Sequence, residues 1–247
     1  MQTDEHPRKP RRGRAFGWLL ALALLIGGPV LAIHQSWLQI PANWAPWGDV
    51  ELEAPPSWLA RSQINSLVAD PPACLAALER TALTYTPMPE KPLANGCGYI
   101  NGVRLERSQI AYSSGVAANC PVVAALYWYE RDLQQAALEH LGTEIARIEH
   151  LGIYACRNVY GRSQGRMSQH ATANAIDIGG FRLKNGQTVS VLRDWPKDGP
   201  ADSPESRFLK AARDSACRYF NTVLGPEYNA AHADHFHLDL GKSRICR

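Results

Sequence analysis

Between Ala15 and Ile33 the chain runs for nineteen residues without a charged side chain, and no other feature restricts its folding as much. As a helix at 1.5 Å per residue such a run reaches about 28 Å, enough to cross the hydrocarbon core of a bilayer. No polar residue gives it an amphipathic face, which argues against a helix lying on a soluble core. The basic side chains Arg8, Lys9, Arg11, Arg12 and Arg14 precede it, and Trp18 and Trp37 sit near its ends, where interfacial aromatics belong. The positive-inside rule then keeps the N-terminus in the cytoplasm and puts the rest of the chain outside. Val30-Leu31-Ala32 is a poor small-x-small cleavage site and the run is long for a signal peptide, so an uncleaved anchor is preferred to a removed signal. No lipobox cysteine follows.

Charge and cysteine content agree with an exported body. The formal charge is +3, and residues 1–14 carry five basic and two acidic side chains, which accounts for all of it. Residues 15–247 are therefore balanced, which argues against nucleic acid as a partner, since that affinity rests on clustered phosphate contacts. Six cysteines, Cys74, Cys97, Cys120, Cys156, Cys217 and Cys246, all lie beyond the apolar run and none forms a Cys-x-x-Cys pair. In an oxidising compartment they read as up to three disulfides whose pairing the sequence leaves open, with buried free thiols as the alternative.

The chain divides into a basic tail (1–14), the anchor (15–33), a stiff linker rich in Pro and Trp (34–60) and one catalytic domain (61–247). Within the domain, 74–83 has helical character and 85–98, with three prolines and two glycines, reads as a loop. A strand is expected over 99–105. The longest helix runs over 120–141, with Pro121 in its first turn and Gly142 as its stop. Strands follow at 144–154 and 176–183, and Asn185-Gly186 carries a hairpin signal toward a returning strand at 189–192. Residues 158–167 and 195–204 read as loops, and Ser203 or Ser206 starts a helix reaching about residue 220.

Three of the eight histidines, His232, His235 and His237, crowd into six positions. On a strand over 235–240, alternation puts Phe236, Leu238 and Leu240 on the apolar face and His235, His237 and Asp239 on the other. The natural partner is the segment 168–178, with His170 and Asp177. An odd separation would send those two side chains to opposite faces of a continuous strand, so a turn must intervene. His170, Asp177 and one histidine of the cluster make a two-His, one-carboxylate set with a coordination position left open, as in a catalytic zinc site; iron or manganese can use similar ligands. No Gly-x-Ser-x-Gly elbow and no phosphate-binding glycine loop occurs, so serine hydrolase and nucleotide chemistry lack support.

Ser168-x-His170-x-x-Ala173-x-Ala175-x-Asp177 followed by His235-x-His237 resembles the zinc peptidases that include D-Ala-D-Ala carboxypeptidases, D-Ala-D-Ala dipeptidase, murein endopeptidase and, distantly, the hedgehog signalling domain. More narrowly, Ala-Ile-Asp-Ile with Gly180-Phe181, then Asp234-His-Phe-His-Leu-Asp239-Leu, is similar to the bacterial extensin-like C-terminal domain, over about residues 70–247. The resemblance implies Zn2+ held by His170, Asp177 and His237. Ala173 stands where the wider family commonly has Gly. Asp234 stands where many of these enzymes place a Glu as general base. His235 and His232 are therefore ranked above Asp234 for proton transfer, and the murein endopeptidase resemblance supports a histidine. Arg157, on a segment similar to the strand before the first ligand in carboxypeptidase relatives, is a candidate for binding a substrate carboxylate, with a plain surface arginine as the alternative.

The expected fold is α+β: a small antiparallel sheet carrying the metal ligands, with helices packed on one face, preceded by an N-terminal transmembrane helix. The expected function is a zinc-dependent peptidoglycan peptidase of endopeptidase or D,D-carboxypeptidase type. It would act on stem peptides or cross-bridges, with the chain a single-pass protein of the bacterial inner membrane and its catalytic domain in the periplasm. The alternative is a non-catalytic, zinc-stabilised cell-wall binding domain.

Overall fold

A computed structural model of the full chain describes residues 12–35, 37–38, 41–45, 48–196 and 203–247. Most of the predicted basic tail (1–11) and the middle of the predicted loop at 195–204 (197–202) lie outside the described residues. The chain divides into two units, Met1–Pro41 and Ala42–Arg247.

In the first unit, α1 (Arg12–His34) runs through the charge-free stretch despite Pro29. Its window Gly17–His34 has a mean hydropathy of 1.9 and leaves Trp18, Leu24 and Leu25 exposed. Length and composition suit either a membrane span or a signal sequence.

The second unit begins inside the stretch expected to be linker. Asn43 fixes it: its amide donates to the carbonyls of Glu51 (2.9 Å), Ala54 (3.3 Å) and Pro55 (3.2 Å), and its own carbonyl accepts from the Ser57 hydroxyl. Val50 and Leu52 are buried in the common core. Trp44 and Trp58 stay exposed. Next come α2 (Ala60–Ala69) and α3 (Pro71–Glu79). The second starts earlier than the helix expected at 74–83, because Asp70 caps it by accepting from the Ala73 amide (3.1 Å) and proline follows at once.

The stretch 85–98 is not a loop. It holds β1 (Thr84–Pro87), β2 (Lys91–Ala94) and the start of β3 (Cys97–Tyr99). The turn between β2 and β3 is Asn95-Gly96, both at positive φ (53° and 79°), the hairpin geometry that this dipeptide favours. The strand expected at 99–105 is broken at Asn101, also at positive φ (64°), and resumes as β4 (Gly102–Arg107). Then follow β5 (Ala111–Tyr112), β6 (Val116–Asn119) and α4 (Cys120–Leu141), which ends at Gly142 in the left-handed region (φ 65°).

After it come β7 (Ile145–Gly152), β8 (Ala175–Leu183) and β9 (Thr188–Ser190). The returning strand is shorter than expected: the Ser190 amide donates to the Asp194 carboxylate (2.7 Å), and the chain turns into α5 (Val191–Asp194). A reciprocal capping box between Ser203 and Ser206 starts α6 (Pro204–Ala216), which ends short of residue 220. Strands β10 (Thr222–Leu224), β11 (Phe236–Asp239) and β12 (Ile245–Cys246) complete the unit.

The architecture is α+β. The main sheet has seven strands in the order β12-β10-β11-β8-β7-β5, with β9 paired to β8. It is larger than expected and not purely antiparallel, since β5 runs parallel to β7 and β12 parallel to β10. Smaller sheets hold β1-β4-β6 and β2-β3. Alternation along β8 and β11 sends Ile176, Ile178, Phe236 and Leu238 into the core. There Phe181 meets Phe208 of α6 edge to face at 5.1 Å, Phe236 meets Trp195 at 5.5 Å, and Tyr129 of α4 meets Phe220 at 6.3 Å.

All six cysteines are paired: Cys74–Cys120, Cys97–Cys156 and Cys217–Cys246. The partners are 46, 59 and 29 residues apart, so each bridge removes about 4 kcal/mol of unfolded-chain entropy.

Candidate metal centre

Asp177 and His237 are direct cross-strand partners in the β8–β11 ladder, so their side chains leave the sheet together on the face opposite Ile176, Ile178, Phe236 and Leu238. His170 arrives from a short 3-10 turn, Gln169–Thr172, whose amide at His170 is capped by the Ser168 hydroxyl (3.3 Å). The turn expected between His170 and Asp177 is present. Ala173 closes it at φ 53°, a left-handed conformation in which a Cβ is disfavoured. Asn119, just before α4, holds the turn: its amide side chain donates to the Thr172 carbonyl (2.8 Å) and its backbone N–H to the Ala173 carbonyl (2.9 Å).

One nitrogen of each ligand-candidate imidazole is engaged away from the cluster. His170 Nδ1 lies 2.6 Å from the Ile153 carbonyl, which can only accept, so that nitrogen carries the proton and Nε2 faces Asp177 Oδ2 and His237 Nδ1, both at 3.1 Å. His237 Nε2 donates to Asp239 Oδ2 (3.0 Å), and its Nδ1 lies 2.9 Å from Asp177 Oδ1. Asp239 is itself held by the Gly241 amide (2.7 Å). One ligand atom from each of His170, Asp177 and His237 thus falls within 4.8 Å of the others, in an arrangement that can hold a metal ion.

The surroundings favour positive charge. Burial opposes ionisation of Asp177, yet hydrogen bonds from His170 and His237 hold its carboxyl well below the usual range. For His237 burial lowers the pKa, but the Asp177 and Asp239 carboxylates outweigh it and lift it to about 9. With no metal bound, a proton on His237 takes up part of the positive charge this site attracts.

Beside the cluster, Asp234 accepts from His235 Nδ1 at 2.7 Å, which turns His235 Nε2 to within 3.7 Å of Asp177 Oδ1. Asp234 therefore orients a histidine. His232 is buried, with Nδ1 held by the Asn229 side chain (2.7 Å) and its ring 5.3 Å from that of His235 and 5.9 Å from that of His237. Burial first, then the like charges of His235 and His237, lower its pKa to about 4, so it stands neutral at pH 7. Asn229 also donates to the Tyr160 hydroxyl (2.9 Å).

The cluster opens into a cleft of about 1300 Å³ lined also by Arg157, Tyr160 and Trp58. Arg157 is exposed and lines the cleft without a side-chain contact to the three candidate ligands. Sequence reasoning put Asp239 on the right strand face but gave it no task. It missed Asn229, Tyr160 and the Ile153 carbonyl, none of which has a local sequence signal.

A family model described as "Extensin-like protein C-terminus" matches residues 72–247, well over half of the chain. The chain belongs to that family. No curated protein and no solved structure matches the chain.

Proposed function

We propose that this extensin-like protein is a zinc-dependent peptidoglycan peptidase, of endopeptidase or D,D-carboxypeptidase type, related to the peptidases its motifs resemble. The observation that carries the reading is the convergence of His170 Nε2, His237 Nδ1 and Asp177 on one point, with the other nitrogen of each imidazole tied to an outer acceptor. Those three residues would hold the metal. When bound, zinc supplies a Lewis acid that polarises a peptide carbonyl and makes water more acidic.

The chain's own groups do the rest. His235, oriented by Asp234, accepts the proton of the attacking water and returns it to the leaving amine, so one water is added across the broken bond. His232, neutral at pH 7, is the second candidate for that transfer. Arg157, on the cleft wall, is placed to take a substrate carboxylate. The apolar helix with its basic flank, together with three disulfides, supports a single-pass inner-membrane protein whose domain faces the periplasm.

The test is digestion of isolated muropeptides by the full chain, read by mass spectrometry. Cleavage with the gain of one water should stop on chelation, return with zinc, and slow by about 10²–10⁴-fold in His235→Ala with the metal retained. Intact muropeptides with zinc-loaded protein would favour the second reading, a zinc-stabilised wall-binding domain. That reading draws on Asp234, which replaces the usual Glu and turns to His235 instead of the cluster.

A further inference from the structure

The cleft is far more basic than the balanced body around it. Six cationic side chains line it, Arg61, Arg157, Arg166, Arg218, Lys242 and Arg244, against two acidic ones, Asp177 and Asp239. Both acids are engaged by the histidines of the cluster. Arg218 is paired with Asp132 (2.7 Å), but among the described residues Arg157, Arg166, Lys242 and Arg244 have no side-chain hydrogen bond or ion pair.

These free cations come from two sides of the site. Arg157 and Arg166 belong to the connection between β7 and β8, whose Tyr160 meets Asn229 and His232 ahead of the start of β11, whereas Lys242 and Arg244 belong to the connection that leaves the other end of β11. The second connection is fixed in place. Asn221 donates to the Gly241 carbonyl (2.9 Å), Thr222 to the Ser243 carbonyl (3.3 Å), and the Cys217–Cys246 bridge closes its end. Arg61 of α2 donates to the Cys217 carbonyl, and its Nε is buried without a partner.

We infer that Arg61, Lys242 and Arg244 form an anion subsite that binds a carboxylate of the substrate on the side of the metal centre opposite Arg157. The substrate class is then a peptide with free carboxylates on both sides of the bond at the centre. This rests on the proposed function for the peptide nature of the ligand. The fixed backbone of the 241–244 segment limits the ordering cost of binding, so two or three charge-assisted hydrogen bonds there discriminate strongly between a carboxylate and its amide.

The experiment titrates the zinc-loaded full chain in non-ionic detergent with the pentapeptide L-Ala-γ-D-Glu-meso-diaminopimelyl-D-Ala-D-Ala, its carboxylates either free or amidated. Binding is read by calorimetry at low salt, and cleavage is scored separately on the same samples. The wild type should bind the free acid at least about tenfold tighter than the amide. Lys242→Gln/Arg244→Gln should reduce that difference to the part Arg157 supplies, while Lys242→Arg keeps it in full. Equal affinity of the wild type for both peptides, no detectable binding of either, or an unchanged preference in the double variant would overturn the subsite. Absence of cleavage of this peptide and of cross-linked muropeptides, with the charge preference intact, would sink the peptidase reading and leave the subsite standing.

Discussion

Asp239 shows how the candidate centre depends on residues outside the ligand set. Its carboxylate fixes the proton of His237 on Nε2 and so leaves Nδ1 for the cluster. Asp239→Ala should weaken zinc binding by about 10–100-fold while the domain stays folded, measured by competition with a chromophoric chelator. An unchanged affinity would mean that Asp239 serves only the Gly241 turn. At this scale the sequence was informative where chemistry is written locally. The alternation around His-x-His put His235, His237 and Asp239 on one face, and the small residues 171–175 marked the turn before Asp177. The partner of His170 is a backbone carbonyl seventeen residues away, at Ile153, and no residue type reveals that. Asp234 was weighed as a base by its position in the motif, and its bond to His235 appears only once the strand is seen to begin at Phe236.

Among the elements, α4 was legible from its length, its proline start and its glycine stop, but the task of Glu130 within it was not. This carboxyl is fully buried and accepts from Ser108 Oγ (2.6 Å), the Ile110 amide (3.1 Å) and Tyr112 Oη (2.6 Å), which ties the 108–112 segment to the helix. Burial outweighs those bonds and pushes its pKa from 4.5 to about 7. The folded state then binds more protons than the unfolded chain between those values, so this contribution is present in full below about pH 4.5 and is lost as pH rises through about 7. Relative to Glu130→Gln, the wild type should lose about 3 kcal/mol between pH 4.5 and 7.5 in urea unfolding with disulfides intact. Parallel pH profiles for the two proteins would contradict this. The hairpin at Asn95-Gly96 had its signal in plain view, but the surrounding prolines suggested a loop. Pro92 is accommodated because the β2–β3 ribbon has only two strands and leaves it an unpaired edge. The segment before α2 was misjudged for a similar reason. Proline and tryptophan do exclude a helix there, yet Asn43 organises the stretch and Leu52 is anchored through the Trp128 indole, which donates to its carbonyl (2.9 Å).

For the whole molecule, the apolar helix and the three disulfides bear on one question, which side of a membrane the body occupies. A reporter fused to the C-terminus should be active only outside the cytoplasm, and the protein should stay in the membrane fraction. A reporter active in the cytoplasm would reverse the topology, and a shortened soluble chain would make the helix a signal sequence. Two compositional facts in the sequence bear on it: all charge surplus precedes the apolar run and all cysteine follows it. The disulfide pairing and the parallel edge strands were not legible, because both depend on which segments meet across the sheet. The central claim is that His170, Asp177 and His237 hold one catalytic zinc, and it is tested most directly by zinc stoichiometry and muropeptide cleavage measured together on the wild type and on His170→Ala, Asp177→Ala and His237→Ala. The wild type should carry about one zinc per chain and cleave, and each variant should lose both. Full zinc with full activity in His237→Ala would contradict the claim.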